Sequence, residues 1–217
     1  MRFGGCNLRC PGWGYGELPD GTTVRGCDTV FAVYPQWKDS WEKVTPNELI
    51  QRIRSEAEPH RHLCITGGEP LMQPRKEINA VMEHLVFRNY SVDLFTNGSR
   101  SLEPYPWHQH PNVTVVMDFK LPGSGEFGSF NFDNLQWLQE KDAVKFVVKD
   151  RHDFETAVDL LNADHFGKLL RSQIFFGPVW GALELEQLAE WISREVPFAR
   201  LNIQTHKIIW DPEARRT

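Results

Sequence analysis

Apolar segments and amphipathic segments alternate along most of this chain, and this alternation restricts the fold more than any other feature. Runs such as "HLCIT" (62–66) have the length and composition of buried strands, whereas "RKEINAVMEHLV" (75–86) carries apolar residues at helical spacing. Strands that alternate with helices build right-handed βαβ units around a parallel sheet. The predicted strands are 62–66, 91–96, 112–120, 143–149, 172–178 and 199–207, and the predicted helices are 46–57, 75–86, 132–141, 152–163 and 183–195; residues 1–3 form a short apolar segment before the cysteines.

The ends of the predicted strands carry small, polar or charged residues. Gly67-Gly68-Glu69 follows one strand and Asn97-Gly98 follows the next, while Lys120 ends a third. Functional groups in α/β folds gather at the carboxyl ends of the strands. We therefore expect a functional site at this edge of the sheet. Thr45 is the predicted N-cap of the helix at 46–57.

Composition narrows the classes of function. The net charge is −5, so no overall basic field attracts the chain to nucleic acid or to a membrane surface. No apolar run approaches the length of a membrane-spanning helix, and Met1 leads directly into a turn rich in Gly and Cys instead of a signal peptide. We expect a single cytoplasmic domain over residues 1–217, in a reducing compartment where clustered cysteines indicate metal or redox chemistry.

Three of the four cysteines lie within the first 27 residues. Three residues separate Cys6 from Cys10 and sixteen separate Cys10 from Cys27, in segments rich in turn formers that do not resemble a core strand. A zinc finger requires paired C-x2-C units and a fourth ligand, which are not obvious here, although His60, His62 or Cys64 could supply one. Three thiolates suit a 4Fe–4S cluster with one open iron. Cys64 lies inside a predicted strand, where we expect a buried, inert thiol.

Several motifs in order along the chain resemble one family. "RFGGCNLRC" with "CDT", "TGGEPLMQ", "LFTNGS", "MDFKLPGSGE", "VKFVV" and "RLNIQTHKIIWDP" are similar to motifs of radical S-adenosylmethionine (SAM) enzymes, and within them of the 7-carboxy-7-deazaguanine synthase family. The resemblance implies an incomplete (β/α) barrel of about six parallel strands, of the radical SAM type. It also implies a homodimer.

The loop between the cysteines departs from the usual C-x3-C-x2-C spacing of the superfamily. Trp13 occupies the third position, and the expected Cys-Asp-Thr appears at Cys27-Asp28-Thr29. The simplest interpretation is an insertion of residues 13–26, which enlarges the cluster loop to residues 6–29. Family members also have a further N-terminal segment with a strand and a turn that contacts substrate. The resemblance therefore implies that Met1 is a misassigned or alternative start.

The resemblance assigns cofactors and residues. It implies a 4Fe–4S cluster on Cys6, Cys10 and Cys27, SAM on the fourth iron, and Mg²⁺ on Thr29, with Asp28 as a weaker candidate. The radical is generated on SAM, so no side chain is assigned as catalytic. The SAM-binding residues would be Gly67, Gly68, Glu69, Asn97 and Ser124, and the substrate-binding residues Arg2, Thr96, Gln204 and His206, the last two on one face of the final predicted strand.

The activity implied by the resemblance is that of a carbon–nitrogen lyase. A 5′-deoxyadenosyl radical abstracts hydrogen from 6-carboxy-5,6,7,8-tetrahydropterin, and the ring contracts with loss of ammonia to 7-carboxy-7-deazaguanine, a precursor in queuosine-type 7-deazapurine biosynthesis. An electron donor such as flavodoxin would reduce the cluster. The alternatives are another radical SAM enzyme such as a glycyl-radical activase, a non-catalytic binding module held together by metal, and a degenerate paralogue without turnover.

Overall fold

In a computed structural model the described residues are 1–57, 60–163, 165–166, 169 and 173–210. Helices and strands alternate through most of this range, as predicted. The helices are α1 (Val30–Val33), α2 (Pro46–Ala57), α3 (Arg75–Phe87), α4 (Arg151–Asn162), α5 (Leu185–Glu195) and α6 (Thr205–Ile209). The strands are β1 (Arg2–Phe3), β2 (Tyr15–Glu17), β3 (Thr23–Arg25), β4 (His62–Gly67), β5 (Ser91–Thr96), β6 (Val113–Phe119), β7 (Ala143–Val148), β8 (Ile174–Pro178) and β9 (Arg200–Leu201).

Within the described ranges, seven strands form one parallel sheet in the order β1-β4-β5-β6-β7-β8-β9. Its edge strands β1 and β9 do not pair with each other in that part of the chain, so the sheet is an open one, consistent with an incomplete barrel. β2 and β3 form a separate antiparallel hairpin, which lies between Cys10 and Cys27. Short 3-10 helices fill several loops, including Pro11–Trp13 and Pro122–Ser124.

Strand β6 shows how the sheet divides its two faces. Val113, Val115, Met117 and Phe119 alternate along it and are buried in the main core, since successive side chains of a strand point to opposite faces. The intervening residues, Asp118 among them, are only half-buried. The sheet therefore has one face that packs against the helices and one that is more open, which we call the inner face.

Helix α2 begins as predicted. The Thr45 hydroxyl accepts a hydrogen bond from the Glu48 amide (3.3 Å), and the Glu48 carboxylate accepts one from the Thr45 amide (2.7 Å). This reciprocal pair is a capping box, which satisfies backbone donors that the first turn of a helix leaves unpaired. The prediction that Thr45 is the N-cap is confirmed.

Two predicted elements are wrong. The segment 132–141 is not an α-helix but a 3-10 helix, Phe132–Gln136, followed by a turn. The final strand predicted at 199–207 is only β9, Arg200–Leu201, and the chain then turns into α6. None of the described helices has the length and apolar character needed to span a membrane.

Candidate active site

The carboxyl ends of β4, β5 and β6 meet at one edge of the sheet, and the cysteine-bearing segment packs directly on them. The Gly68 amide donates to the Phe3 carbonyl (3.0 Å), and the Glu69 amide donates to the Gly5 carbonyl (2.8 Å). A Cβ atom on Gly68 would lie 2.1 Å from the Gly5 oxygen. Only glycine permits this approach, so the Gly67-Gly68-Glu69 turn and the cysteine loop form one unit.

The three N-terminal cysteines converge beside this turn, and all three are free thiols. Cys6 Sγ accepts from the Leu8 amide at 3.4 Å and lies 3.7 Å from Asn97 Nδ2. Cys27 Sγ lies 3.2 Å from Thr29 Oγ1. Cys10 is buried and has a left-handed backbone, φ 46°, a conformation that costs energy in a residue other than glycine.

The electrostatics of the thiols favour a bound cation. Burial raises the pKa of Cys6 and raises that of Cys10 to about 12, and the nearby Cys27 thiol adds to both increases. Metal binding requires thiolates, so a positively charged group must compensate for their burial.

The spacing of the sulfurs distinguishes between a single ion and a larger group. Tetrahedral zinc with Zn–S bonds of about 2.3 Å would hold its sulfurs about 3.8 Å apart. Among the described residues, only His62, Cys64 and Asp93 form a group of His, Cys, Asp or Glu ligand atoms that all lie within 4.8 Å of one another. The sulfurs of Cys6, Cys10 and Cys27 thus do not all lie within that distance of one another, and a set of three thiols suits an iron–sulfur cluster with one open iron.

Glu69 is fully buried at the centre of the site. Its carboxylate accepts hydrogen bonds from the Leu71 amide (3.0 Å), the Thr96 hydroxyl (2.8 Å) and the Asn97 amide (2.7 Å). Burial raises its pKa, and these hydrogen bonds oppose that effect. Glu69 thus ties the end of β4 to the end of β5 and positions the backbone around it.

Ser124 and Asn97 also lie in the walls of the site. The Ser124 hydroxyl donates to the Leu121 carbonyl (2.6 Å) and accepts from the Glu126 amide (3.0 Å), so it organises its own turn. That turn packs against the cysteine loop, because a Cβ atom on Gly12 would lie 1.8 Å from the Gly123 oxygen. The Glu126 carboxylate accepts from the Arg9 amide at 2.8 Å, which joins the two segments a second time.

Sequence reasoning placed Lys120 at the end of a strand but did not predict that it is a buried cation of the site. Lys120 Nζ lies 2.9 Å from Asp118 Oδ2 and 4.1 Å from the centre of the Trp13 ring. Burial disfavours the charge of Lys120, but Asp118 and Cys10 raise its pKa. Asp118 Oδ1 and Trp13 Nε1 are buried and have no hydrogen-bond partner among the described residues, as expected where a ligand completes a site. The Asp-x-Lys spacing in "MDFK" was the available signal, because it places both side chains on the same side of one strand.

The C-terminal segment reaches the same site through an ion pair. Lys207 Nζ lies 2.6 Å from Asp28 Oδ2, next to Cys27. Burial by surrounding protein opposes ionisation of Asp28, but Lys207, Lys145 and Lys120 hold its pKa below the usual range. Its side chain still has half its surface open to solvent.

The remaining predicted residues are distributed as follows. Thr29 lies beside Cys27, and Thr96 is buried against Glu69. Arg2 is exposed, with its guanidinium 5.6 Å from the centre of the Phe31 ring. The prediction that Gln204 and His206 share a strand face is wrong, because Gln204 precedes α6 and position 206 lies within that helix; the His206 side chain is outside the described residues. Cys64 is exposed, not buried as predicted, because it lies on the inner face.

Comparisons with known proteins agree with this architecture. No protein-family model matches the chain. It is 33% identical to a 7-carboxy-7-deazaguanine synthase from Leptospira interrogans, over 97% of this chain and 86% of the relative. It is 32% identical to a protein of the same name from Koribacter versatilis, over 99% of this chain and 89% of the relative.

The crystal structure of QueE from Escherichia coli has the same fold, with a TM-score of 0.61 at 20% identity, covering 94% of this chain and 83% of that one. These relationships show that the chain belongs to the 7-carboxy-7-deazaguanine synthase family of radical SAM enzymes.

Proposed function

We propose that this protein converts 6-carboxy-5,6,7,8-tetrahydropterin to 7-carboxy-7-deazaguanine with loss of ammonia, as a radical SAM lyase of 7-deazapurine biosynthesis. One observation carries the proposal: the backbone directly before Cys6, at Phe3 and Gly5, is hydrogen-bonded to the Gly67-Gly68-Glu69 turn. A cluster and a SAM molecule bound there would be adjacent, as the chemistry requires. When bound, they supply reductive cleavage of SAM and thus a carbon-centred radical.

Cys6, Cys10 and Cys27 are the proposed cluster ligands, with one iron left open for SAM. The left-handed backbone of Cys10 sets the direction of its side chain. The Cys27 thiol contacts the Thr29 hydroxyl, which fixes its position. The hairpin β2–β3 lies in the enlarged loop of residues 6–29, within a single domain. Because the hairpin extends from the loop between two ligands, we propose that it shields one side of the cluster from water.

Gly67, Gly68 and the Asn97 side chain are the proposed contacts of SAM, with Ser124 on the neighbouring turn. Glu69 is also a proposed contact of SAM, because its carboxylate accepts three internal hydrogen bonds and an ionised carboxylate can accept a fourth. Lys120 adds a positive charge, and Trp13 Nε1 adds a donor that has no hydrogen-bond partner in the described part of the chain. Both suit the carboxylate of an amino acid.

The proposed substrate site lies next to Cys27. Thr29 is the proposed Mg²⁺ ligand, and Asp28 stands beside it as a carboxylate that stays ionised. Mg²⁺ retains several waters and uses few protein oxygens. The Lys207–Asp28 contact brings the segment with Gln204 and His206 towards these residues, which supports a role for that segment on the pterin. Arg2 and Thr96 complete the proposed set, Arg2 as a bidentate partner of the substrate carboxylate.

The compartment, the oligomeric state and the electron donor of the enzyme are also part of the proposal. We propose a cytoplasmic homodimer that receives electrons from a small donor such as flavodoxin. Reducing conditions would keep the four free cysteines available as thiols.

An anaerobic assay tests the function. The chain is reconstituted with iron and sulfide and mixed with reductant, SAM, Mg²⁺ and 6-carboxy-5,6,7,8-tetrahydropterin, and products are followed by mass spectrometry. Equal formation of 5′-deoxyadenosine and 7-carboxy-7-deazaguanine is expected. 5′-Deoxyadenosine without deazaguanine would retain the radical SAM site but reject this substrate, in favour of another radical SAM reaction such as glycyl-radical activation. No SAM cleavage by cluster-loaded protein would reject the catalytic proposal.

Matched cysteine variants test the cluster ligands. Cys6→Ala, Cys10→Ala and Cys27→Ala should each lose bound iron and SAM cleavage. Cys64→Ala is the control for iron content, because Cys64 lies outside this site. Full iron content in any of the three ligand variants would reject that ligand, and zinc bound by all three in place of iron would favour a non-catalytic module.

A further inference from the structure

A second cluster of metal-binding side chains lies on the inner face of the sheet, away from Cys6, Cys10 and Cys27. β4 and β5 pair in parallel with Cys64 directly beside Asp93. His62 precedes Cys64 by two residues and so points to the same face. The register of the two strands thus brings an imidazole, a thiol and a carboxylate together.

The three ligand atoms converge on one point. His62 Nε2 lies 3.3 Å from Asp93 Oδ2 and 3.8 Å from Cys64 Sγ. All three atoms lie within 4.8 Å of one another, and no other three-residue group of this kind occurs in the described ranges. His62 and Cys64 are exposed, so an ion can reach them from solvent.

These separations match those around a tetrahedral zinc ion. Bond lengths of about 2.0–2.2 Å to nitrogen or oxygen and about 2.3 Å to sulfur give separations of about 3.4 Å for N···O and about 3.6 Å for N···S. The observed distances differ from these by only a few tenths of an ångström. One thiolate, one carboxylate and one neutral imidazole also balance the charge of a divalent ion.

The arrangement does not suit a nucleophilic cysteine. In a Cys–His–Asp relay the thiol and the carboxylate contact opposite nitrogens of the imidazole. Here both approach the same nitrogen, Nε2. That geometry suits either a shared metal or a simple His62–Asp93 ion pair.

We propose that His62, Cys64 and Asp93 bind one Zn²⁺ ion, with the fourth coordination position open to solvent. The ion links β4 to β5, whose carboxyl ends carry Gly67-Gly68-Glu69 and Thr96-Asn97. It therefore braces the two strands that support the active-site loops, and it needs none of the cluster cysteines.

Zinc titration of the cluster-loaded protein tests this site. Anaerobic protein is titrated with ZnCl₂ in competition with a chromophoric chelator, and bound zinc and iron are measured by elemental analysis. One zinc per chain with unchanged iron is expected. His62→Ala, Cys64→Ala and Asp93→Asn should each weaken zinc binding at least about tenfold. His60→Ala is the matched control and should leave it unchanged.

Cobalt supplies a second readout. Co²⁺ in place of Zn²⁺ should give a thiolate charge-transfer absorption in the unaltered protein but not in Cys64→Ala or Cys64→Ser, with folding verified by circular dichroism. Absence of zinc binding, affinity in the three ligand variants equal to that of the unaltered protein, or zinc uptake matched by loss of iron would each overturn the proposal. In that case His62 and Asp93 form an ion pair alone.

Discussion

Lys207 Nζ lies 2.6 Å from Asp28 Oδ2, although the two residues are 179 positions apart in the chain. Lys207 is buried and its ammonium also lies 5.7 Å from the centre of the Trp180 ring. Asp28 follows the cysteine Cys27 directly. This contact therefore connects helix α6 to the cysteine loop, and we propose that it positions the substrate-binding segment.

Replacing Lys207 by methionine should weaken that connection while keeping the length of the side chain. We expect kcat/KM for the pterin to fall about tenfold, equivalent to about 1.4 kcal/mol, mainly through a higher KM. The pKa of Asp28 is lowered, so its carboxylate stays ionised at every pH above the usual carboxyl pKa. The ion pair is lost only when the pH falls below that lowered pKa. The effect should therefore be constant between pH 6 and pH 9.

Steady-state kinetics across that pH range check the expectation. The exposed Lys43, changed to methionine, is the control for loss of a positive charge and should retain wild-type KM. A Lys207→Met enzyme with unchanged KM would show that the contact does not position substrate.

The central elements of the fold are those that short-range patterns determine. The alternation in "VTVVMDF" and the helical spacing in "RKEINAVMEHLV" both reflect burial against a single core, and the structure confirms them as β6 and α3. The convergence of the strand ends also follows from topology alone. These features needed no knowledge of long-range contacts.

Two wrong predictions, the strand at 199–207 and the burial of Cys64, depend on long-range contacts instead. "ARLNIQTHK" alternates like a strand, but past Leu201 the chain leaves the sheet, and Lys207 is drawn to Asp28 within a helix. Cys64 has apolar neighbours, but the inner face that it lies on is open. Both outcomes depend on distant parts of the chain, and so does the Lys120–Trp13 contact, since local sequence does not encode such partners.

Gly68→Ala should separate the cysteine loop from the β4 turn. The new Cβ atom would lie 2.1 Å from the Gly5 oxygen and 2.7 Å from that of Ala32, and both are backbone atoms that cannot move aside cheaply. We expect SAM cleavage to fall at least about tenfold, since small displacements of reacting groups cost about that much or more. Gly128→Ala, where a Cβ atom meets nothing within 4 Å, should match the wild type. Equal rates of 5′-deoxyadenosine formation in the two variants would refute the structural coupling.

Lys120→Met should leave the Asp118 carboxylate without its cation. Breaking a buried pair by removing one partner costs about 3–5 kcal/mol, but the Asp118 side chain is 25% exposed, so we expect about 1–3 kcal/mol. Each kcal/mol corresponds to about 2–4 °C in Tm for a chain of this size. Thermal unfolding of the cluster-free protein measures the loss, and the double variant Lys120→Met with Asp118→Asn should recover part of it. A double variant less stable than Lys120→Met would contradict this account.

Alkylation of the cluster-free protein should reveal the high pKa of Cys10. Burial raises that pKa to about 12, whereas an ordinary thiol has a pKa of about 8.5. Only the thiolate reacts, so labelling of Cys10 should rise about tenfold per pH unit from pH 7 to pH 9.5. Peptide mass spectrometry after timed iodoacetamide treatment measures the rate, with glutathione in the same tube as the reference thiol. Glutathione labelling should level off near its own pKa. The labelling rate of Cys10 could instead be low at every pH and level off at the same pH as that of glutathione. That result would show that restricted access, and not a raised pKa, protects Cys10.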